Sequence, residues 1–285
     1  MARWATEYPV ALLCRVLRVT KSAYYDWKQR GADVVSAGEF ALCSRMKERF
    51  IQSRQSLGSR GMVRHLRNEG HVIGRYRVRR LMKRLGLTVK GKRKYRITTQ
   101  SKHALPVAGN VLNREFTQAS PNRAWVSDIT YVWTVRGWLH LAVVMDLYSR
   151  RIVGWCMDKT MTQALVIRAL RMAINLRQPK AGLIHHSDRG SQYASEAYQA
   201  LLKQHGILPS MSRKGNCWDN AVMERFFKSY KGEWIGNQVY HTRDAALRDM
   251  QDYMKYYDSV RLHSTLGYRT PVEYENGLNK VSGLG

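Results

Sequence analysis

The chain has 285 residues, enough for two or three domains around a substantial core, and 44% of them are hydrophobic, as in an ordinary folded protein. Its charge is not ordinary: 48 Lys and Arg against 21 Asp and Glu leave +27, a field that favours a polyanion and nucleic acid first. The longest apolar run, Leu141 to Leu147, contains Asp146 and is too short to span a bilayer, and the four cysteines include no C-x-x-C pair, so a membrane span, a zinc finger and a disulfide framework are excluded.

The charge is uneven. Residues 1–110 hold 25 Lys and Arg against 6 Asp and Glu, +19, which leaves +8 for the rest. Phosphate neutralisation by such a front half supplies affinity and salt dependence but no sequence specificity. Met1 to Val19 mixes arginines with apolar residues, so no secretory leader is read, and a cytoplasmic, nucleoid-associated location is expected.

Residues 1–35 predict two short helices, from Val10 and from Val19, which read equally as a helix-turn-helix-like piece or as packing material. Residues 36–89 predict three more, Glu39–Gln52, Met62–Asn68 and Arg75–Leu85, forming a helix-turn-helix-like DNA-binding domain. In the third, Val78, Leu81, Met82 and Leu85 fall on one stripe at helical spacing. Arg75, Arg77, Arg79, Arg80, Lys83 and Arg84 fill the remainder with no acid among them, the pattern of a helix that lies against DNA. Residues 90–120 read as a basic linker in which Lys92, Arg93, Lys94 and Arg96 are further DNA-binding candidates; Thr98 to Ser120 has no clear period and either tracks DNA or simply connects.

Residues 121–235 change character. Strands are predicted at Trp125–Val135, Trp138–Tyr148 and Arg151–Met157, a helix at Thr162–Leu176, a strand at Ala181–Ser187, a helix at Ser195–His205 and a strand at Ile207–Met211. A polar loop to Asn220 then enters a helix. The order βββαβαβα describes an antiparallel meander followed by returning parallel strands. Residues 236–285 predict a helix over Thr242–Tyr257, with the last dozen residues frayed.

Three acids stand out. Asp128 lies in an apolar strand, Asp188 closes a short strand before the Arg189-Gly190 turn, and Glu224 lies on the helix that follows Asp219-Asn220. Two carboxylates at strand ends and one on a helix can converge, and an all-oxygen donor set suits hard divalent cations such as Mg²⁺. Asp146 ends another apolar strand and reads as a turn residue or as one near the metals. His186 shares a strand face with Asp188, as a ligand-orienting or packed histidine.

The acids, with 35 residues between the second and third, resemble the D,D(35)E pattern of retroviral-integrase-like transposases. The chain most resembles the OrfB-type transposase of the bacterial insertion-sequence-three family. The resemblance rests on Trp125-Val-Ser-Asp-Ile-Thr-Tyr, His186-Ser-Asp-Arg-Gly-Ser-Gln-Tyr193, Asp219-Asn-Ala-Val-Met-Glu-Arg-Phe-Phe-Lys228 and Lys231, seven residues after Glu224. Gly58-Ser-Arg-Gly, Arg77-Val-Arg-Arg-Leu-Met and Arg261-Leu-His-Ser-Thr-Leu-Gly-Tyr extend it over nearly the whole chain.

The resemblance implies an α/β, ribonuclease H-like (retroviral integrase-like) catalytic core, preceded by basic all-α helix-turn-helix domains and followed by a short helical C-terminal segment. It implies a Mg²⁺-dependent DNA transposase in which Asp128, Asp188 and Glu224 hold two ions, with Mn²⁺ as a substitute, and Lys231 reaches a phosphate. Gln192, Tyr193, Asn220 and Arg225 are read as DNA contacts, and Arg261, His263 and Tyr268 as anchors of the C-terminal segment. Expected partners are double-stranded DNA at the transposon ends and target, a second copy of the chain, and an upstream OrfA product. The sequence departs from the pattern in carrying no heptad zipper, no His-His-Cys-Cys zinc domain, and Arg225 after Glu224. A nuclease of the same fold that does not join strands, and a catalytically silent DNA-binding repressor, are the alternatives.

Overall fold

The computed structural model describes residues 2–29, 36–89, 105–214 and 216–281. It divides into two compact units, Met1–Glu48 and Arg49–Gly285. Among the described residues no helix is long and apolar enough to cross a membrane.

The first unit holds α1 (Val10–Val16), α2 (Lys21–Gln29) and most of α3 (Ala37–Gln52). Hydroxyls start two of these helices. Thr20 Oγ1 accepts the Ala23 N–H and Ser36 Oγ accepts the Glu39 N–H, each satisfying an otherwise orphaned donor of a first turn. Leu13, Cys14, Tyr24, Leu42, Cys43 and Met46 are buried.

The second unit begins with the end of α3 and continues into α4 (Ser59–Asn68) and α5 (Arg75–Arg84). As the periodicity predicts, Val78, Leu81 and Met82 of α5 are buried, while Arg75, Arg77, Arg79, Arg80, Lys83 and Arg84 are exposed. The basic cluster Lys92, Arg93, Lys94 and Arg96 lies outside the described residues.

Residues 105–120, unperiodic in sequence, are docked by side-chain-to-backbone bonds. The N–H groups of Val111 and Leu112 both donate to Ser210 Oγ, at 2.9 and 3.0 Å, and Leu112 is buried in the core. Such bonds leave no hydrophobic period to read.

A five-stranded sheet organises the rest, in the order β3-β2-β1-β4-β5. β1 (Ala124–Thr134), β2 (Gly137–Asp146) and β3 (Ile152–Asp158) form the antiparallel meander, while β4 (Ile184–Ser187) and β5 (Leu208–Met211) run parallel to β1. Strand alternation sends Trp125, Ala142, Val144 and Val153 to one face, under α6 (Gln163–Arg177) and α8 (Glu196–Gln204). A short helix, α7 (Ser191–Ala194), precedes α8 and has no counterpart in the sequence reading. Val126, Val132, Val143 and Met145 go to the other face, under α9 (Ala221–Ser229) and α10 (Arg243–Ser259).

Gly154 sets how closely α6 approaches the sheet. A Cβ there would lie 2.2 Å from the Ala169 carbonyl oxygen and 2.8 Å from the Ala173 nitrogen, both backbone atoms of α6. Gly154→Ala is therefore expected to destabilise the fold by about 3 kcal/mol, the upper end for overpacking, since backbone cannot swing aside. Denaturant unfolding would measure it, and a cost under about 1 kcal/mol would contradict the packing described.

The C-terminal end differs from the expected fraying. Pro271–Val281 form α11. Its start is a capping box: Thr270 Oγ1 accepts the Glu273 N–H and Glu273 Oε2 accepts the Thr270 N–H. Glu275 then pairs with Arg177 of α6 and accepts from Ser149 Oγ, so a tertiary ion pair holds a helix of modest propensity. Nearby, Asp258 of α10 accepts the Ile152 N–H at 3.1 Å, and burial pushes its carboxyl up to about 7 from an ordinary 3.8, against the opposing pull of that N–H and of Arg151. The folded state then binds a proton that the unfolded state has released, so stability falls as pH rises from about 4 to about 7. Melting temperatures of the wild type are expected to decline across that window, and Asp258→Asn to flatten the decline.

Candidate active site

The sheet register brings two of the acids together. β1 pairs with β4 in parallel through Val126 and His186, and two residues further along each chain stand Asp128 and Asp188. Parallel neighbours lie roughly 4.8 Å apart across a sheet, which brings the two side chains to the same edge, near enough for the Asp188 charge to act on Asp128. The seam below them is tied by Ser127 Oγ and His185 Nε2, 2.8 Å apart, with the Tyr198 hydroxyl 3.1 Å from the same nitrogen. Each aspartate also holds its own backbone: Asp128 Oδ1 accepts the Ile129 N–H, and Asp188 Oδ1 accepts the Gly190 N–H across the turn.

Glu224 reaches the same edge on α9, whose start is pinned twice. Asn220 Nδ2 donates to the Ser127 carbonyl, next to Asp128. Glu224 follows four residues later, about one helical turn or 6 Å. Asp219, fully buried, collects Asn110 Nδ2 at 3.0 Å, Arg114 Nε at 2.7 Å, the Arg213 N–H at 2.9 Å and Arg213 Nε at 3.2 Å. Burial opposes its charge, but these donors and the two guanidinium groups outweigh burial and draw its pKa down to about 2. Asp219 thus clasps the 105–120 segment and the polar loop to the base of α9. In the sequence it read only as part of a helix entry.

The electrostatics follow from this crowding. Burial, then the Asp188 charge, and also that of Glu224, raise the Asp128 pKa well above the usual carboxylate range. Burial raises that of Glu224. Lys231 is lowered by burial and steadied by the Asp128 charge, and its Nζ sits 4.3 Å over the Tyr131 ring. Lys231 lies in a π-helical turn, Tyr230–Ile235, that continues α9 and that the α-helical spacing did not foresee. Arg261 holds this turn, with Nε and Nη2 on the two Glu233 oxygens at 2.9 and 3.1 Å and Nη2 also on Ser229 Oγ at 3.1 Å. Arg261 therefore anchors the C-terminal segment, as read, and His263 is buried beside it.

Other candidates fall differently. His186 uses both ring nitrogens internally, Nδ1 with Ser210 Oγ at 2.8 Å and Nε2 with Ser212 Oγ at 3.2 Å. Ser210 Oγ already accepts two N–H groups, so its proton goes to Nδ1 and the imidazole is neutral with its proton on Nε2. Burial agrees, lowering its pKa to about 4. Asn220 and Tyr193, read as DNA contacts, are instead buried, at 6% and 1% exposure, Asn220 by its bond to the Ser127 carbonyl and Tyr193 by packing against Tyr198. The Tyr193 hydroxyl has no hydrogen-bond partner among the described residues. Gln192 donates to the Met161 carbonyl, and Arg225 is exposed. Asp146 is a turn residue, as read, accepting the N–H groups of Asn122 and Tyr148.

The donor set fits a hard cation: three carboxylates, with oxygen ligands only. Among the described residues no three His, Cys, Asp or Glu side chains stand close enough to grip an ion as placed. Three carboxylates without a counter-charge repel, and the raised Asp128 pKa expresses the same repulsion.

Comparison with known proteins gives this arrangement a class. Residues 118–217 and 205–271 match two families each described as Integrase core domain, and residues 39–95 match an HTH-like domain. These matches define the class as an integrase-core DDE polynucleotidyl transferase with an HTH-like domain. The chain is 41% identical over 271 residues to the insertion element IS600 uncharacterized 31 kDa protein of Shigella sonnei, covering 95% of this chain and 100% of that one. It is 39% identical over 273 residues to transposase InsF for insertion sequence IS3A of Escherichia coli K12, covering 95% of each. The chain belongs to the IS3 family of insertion-sequence transposases. Among solved structures, the HTLV-2 integrase catalytic core domain in complex with magnesium is 18% identical, with 55% of this chain and 98% of that one covered at a TM-score of 0.44.

Proposed function

We propose that Asp128, Asp188 and Glu224 are the catalytic and metal-holding carboxylates of this transposase. The observation that carries the reading is the parallel register that sets Asp128 beside Asp188, with α9 pinned to the residue before Asp128. When bound, two Mg²⁺ ions, or Mn²⁺ in their place, would supply an activated water or 3′-hydroxyl nucleophile and a stabilised leaving 3′-oxygen. The residues of the chain do the rest. Burial and the Asp188 charge hold the Asp128 carboxyl above the usual carboxylate range, and a bound cation would oppose that repulsion. Lys231, held over Tyr131 within reach of the Asp128 charge, places an ammonium where a phosphate beside the scissile bond would lie. Gly190 keeps the turn tight against Asp188, since a Cβ there would come within 3.0 Å of Asp188 Oδ1.

The exposed cations of α5 grip DNA phosphates and present the helix to a groove, with Arg225 and Gln192 meeting the strand at the site. The substrate is double-stranded DNA, first the ends of the element and then the target. Pairing two ends calls for at least two copies of the chain, and an OrfA product encoded upstream is a further partner. Cleavage frees a 3′-hydroxyl, and strand transfer joins it to the target.

A joining assay tests this. Full-length protein, labelled duplexes carrying the element's terminal repeats and Mg²⁺ are expected to yield cut and then joined strands. Cleavage without joining would identify a nuclease, and binding alone a repressor.

A further inference from the structure

The far end of the β1–β2 hairpin carries rings that the described part of the protein leaves half uncovered. Trp133 is 52% and Trp138 48% exposed. They are cross-strand partners with centroids 4.8 Å apart at 71°, and Tyr131 adds a third ring 4.9 Å from Trp138 at 87°. Single exposed apolar residues are unremarkable, but adjacent exposed indoles mark a surface that binds something.

The surroundings narrow the occupant. Residues 129–145 contain no Asp or Glu. Arg136 is at the hairpin turn, Arg243 Nη2 donates to its carbonyl at 2.8 Å, and Lys231 Nζ lies over Tyr131. Aromatic rings among cations suit a polyanion that carries flat apolar groups.

Position narrows it further. Tyr131 and Trp133 lie three and five residues beyond Asp128 on one strand, about 10 and 17 Å along it. That is roughly three to five nucleotide steps of 3.4 Å. Alternation puts these rings on the sheet face opposite Asp128, and Lys231 links the two, touching the Tyr131 ring while feeling the Asp128 charge. β4 pairs only with residues 124–126 of β1, and Tyr240 bridges β1 again at Thr134, so between these two pairings a DNA strand leaving the acids meets a strand edge with no strand partner among the described residues.

We propose that Tyr131, Trp133 and Trp138 form a stacking platform for unpaired bases of the DNA strand next to the cleaved phosphate. The proposal rests on the transposase reading above and adds a step to it. Opening a few base pairs at the element end costs stacking, and the exposed rings return it, so the cut strand is held apart from its complement.

The test uses full-length protein without added divalent cation, so that the DNA stays uncut. One duplex is fully paired; the other is forked at the cleavage position and carries 2-aminopurine, whose emission falls on stacking, in the unpaired arm. Wild-type protein is expected to quench the probe. Trp133→Ala and Trp138→Ala are expected to leave it bright and to weaken fork binding roughly 5- to 100-fold, with paired-duplex affinity changed less than about twofold. Trp133→Phe and Trp138→Phe are expected to restore quenching. An unquenched wild-type probe overturns the proposal without recourse to any variant. So does equal loss on both duplexes, or a variant whose sedimentation shows a broken dimer, which would make the patch a contact between copies. Mg²⁺-dependent joining on paired ends is measured alongside. A wild type that does not join overturns the transposase reading and this proposal with it, whereas normal joining with unchanged fork binding by the alanine variants overturns the platform alone.

Discussion

Asp188→Asn is expected to abolish Mg²⁺-dependent cleavage and joining, by at least about 10³-fold, while leaving DNA binding intact. Asparagine has the shape of aspartate and keeps an oxygen to accept the Gly190 N–H, so the turn after β4 survives. What is lost is a negative charge beside Asp128, in a place where only charge can hold a hard cation. Loss of a metal-held transition state is worth several kcal/mol, and about 4 kcal/mol corresponds to the stated factor. With binding assigned by the proposal to the α5 cations, the slope of affinity against salt should not change. A gel separating free, cut and joined DNA reads the first effect and a salt titration the second. Joining that persists in the Asp188→Asn variant would remove Asp188 from the catalytic set.

The second large effect is expected at the base of α9 rather than at the proposed metal-holding oxygens. Asp219→Asn takes the charge from a buried residue that receives five donors, three of them from arginine side chains. Breaking a buried ion pair by removing one partner costs ~3–5 kcal/mol, but Arg114 and Arg213 are about half exposed and can return to water, which brings the expected loss to ~2 kcal/mol. The consequence for activity should be larger than for stability. Asp219 positions the start of α9, and Glu224 depends on that start, so joining is expected to fall at least about tenfold at temperatures where the variant is folded. The folded pKa lies near 2, below the unfolded 3.8, so this stabilisation is present above pH 3.8 and lost as pH falls through 2. The difference in unfolding free energy between wild type and Asp219→Asn should therefore be constant from about pH 5 to 8 and shrink in acid. Full joining by a folded variant would reduce the clasp to a purely structural feature.

The placement of the three acids was legible because each sits inside a run of residue types with its own signature. Asp128 is framed by alternating apolar residues, Asp188 by a short strand and a glycine turn, and Glu224 by a helix with Met223, Phe226 and Phe227 turned inward. The meander and the later parallel strands could be ordered for the same reason. The supports were not legible. Asp219 looks like any helix-entry residue until Asn110 and Arg114, more than 100 positions earlier, are seen to converge on it. Tyr230–Ile235 has the composition of an ordinary helix, and its π winding shows only with Arg261 and Glu233 paired across the C-terminal segment. Asn220 and Tyr193 read as DNA contacts because polar residues near catalytic acids usually face solvent, and only the packing shows them turned inward. The last helix was hidden because its capping box is short and its ion pair with Arg177 is distant in sequence.

The parallel pairing of β1 with β4 also imposes an order on the making of the protein. Asp128 leaves the ribosome 60 residues before Asp188 and 96 before Glu224, and closing loops of that length is slow compared with forming local helices. The basic helix α5 is made first and needs only its neighbours in sequence. A chain interrupted before α9 therefore already carries its basic helix but not the third acid. The cationic part of the chain is thus complete before the three acids can meet.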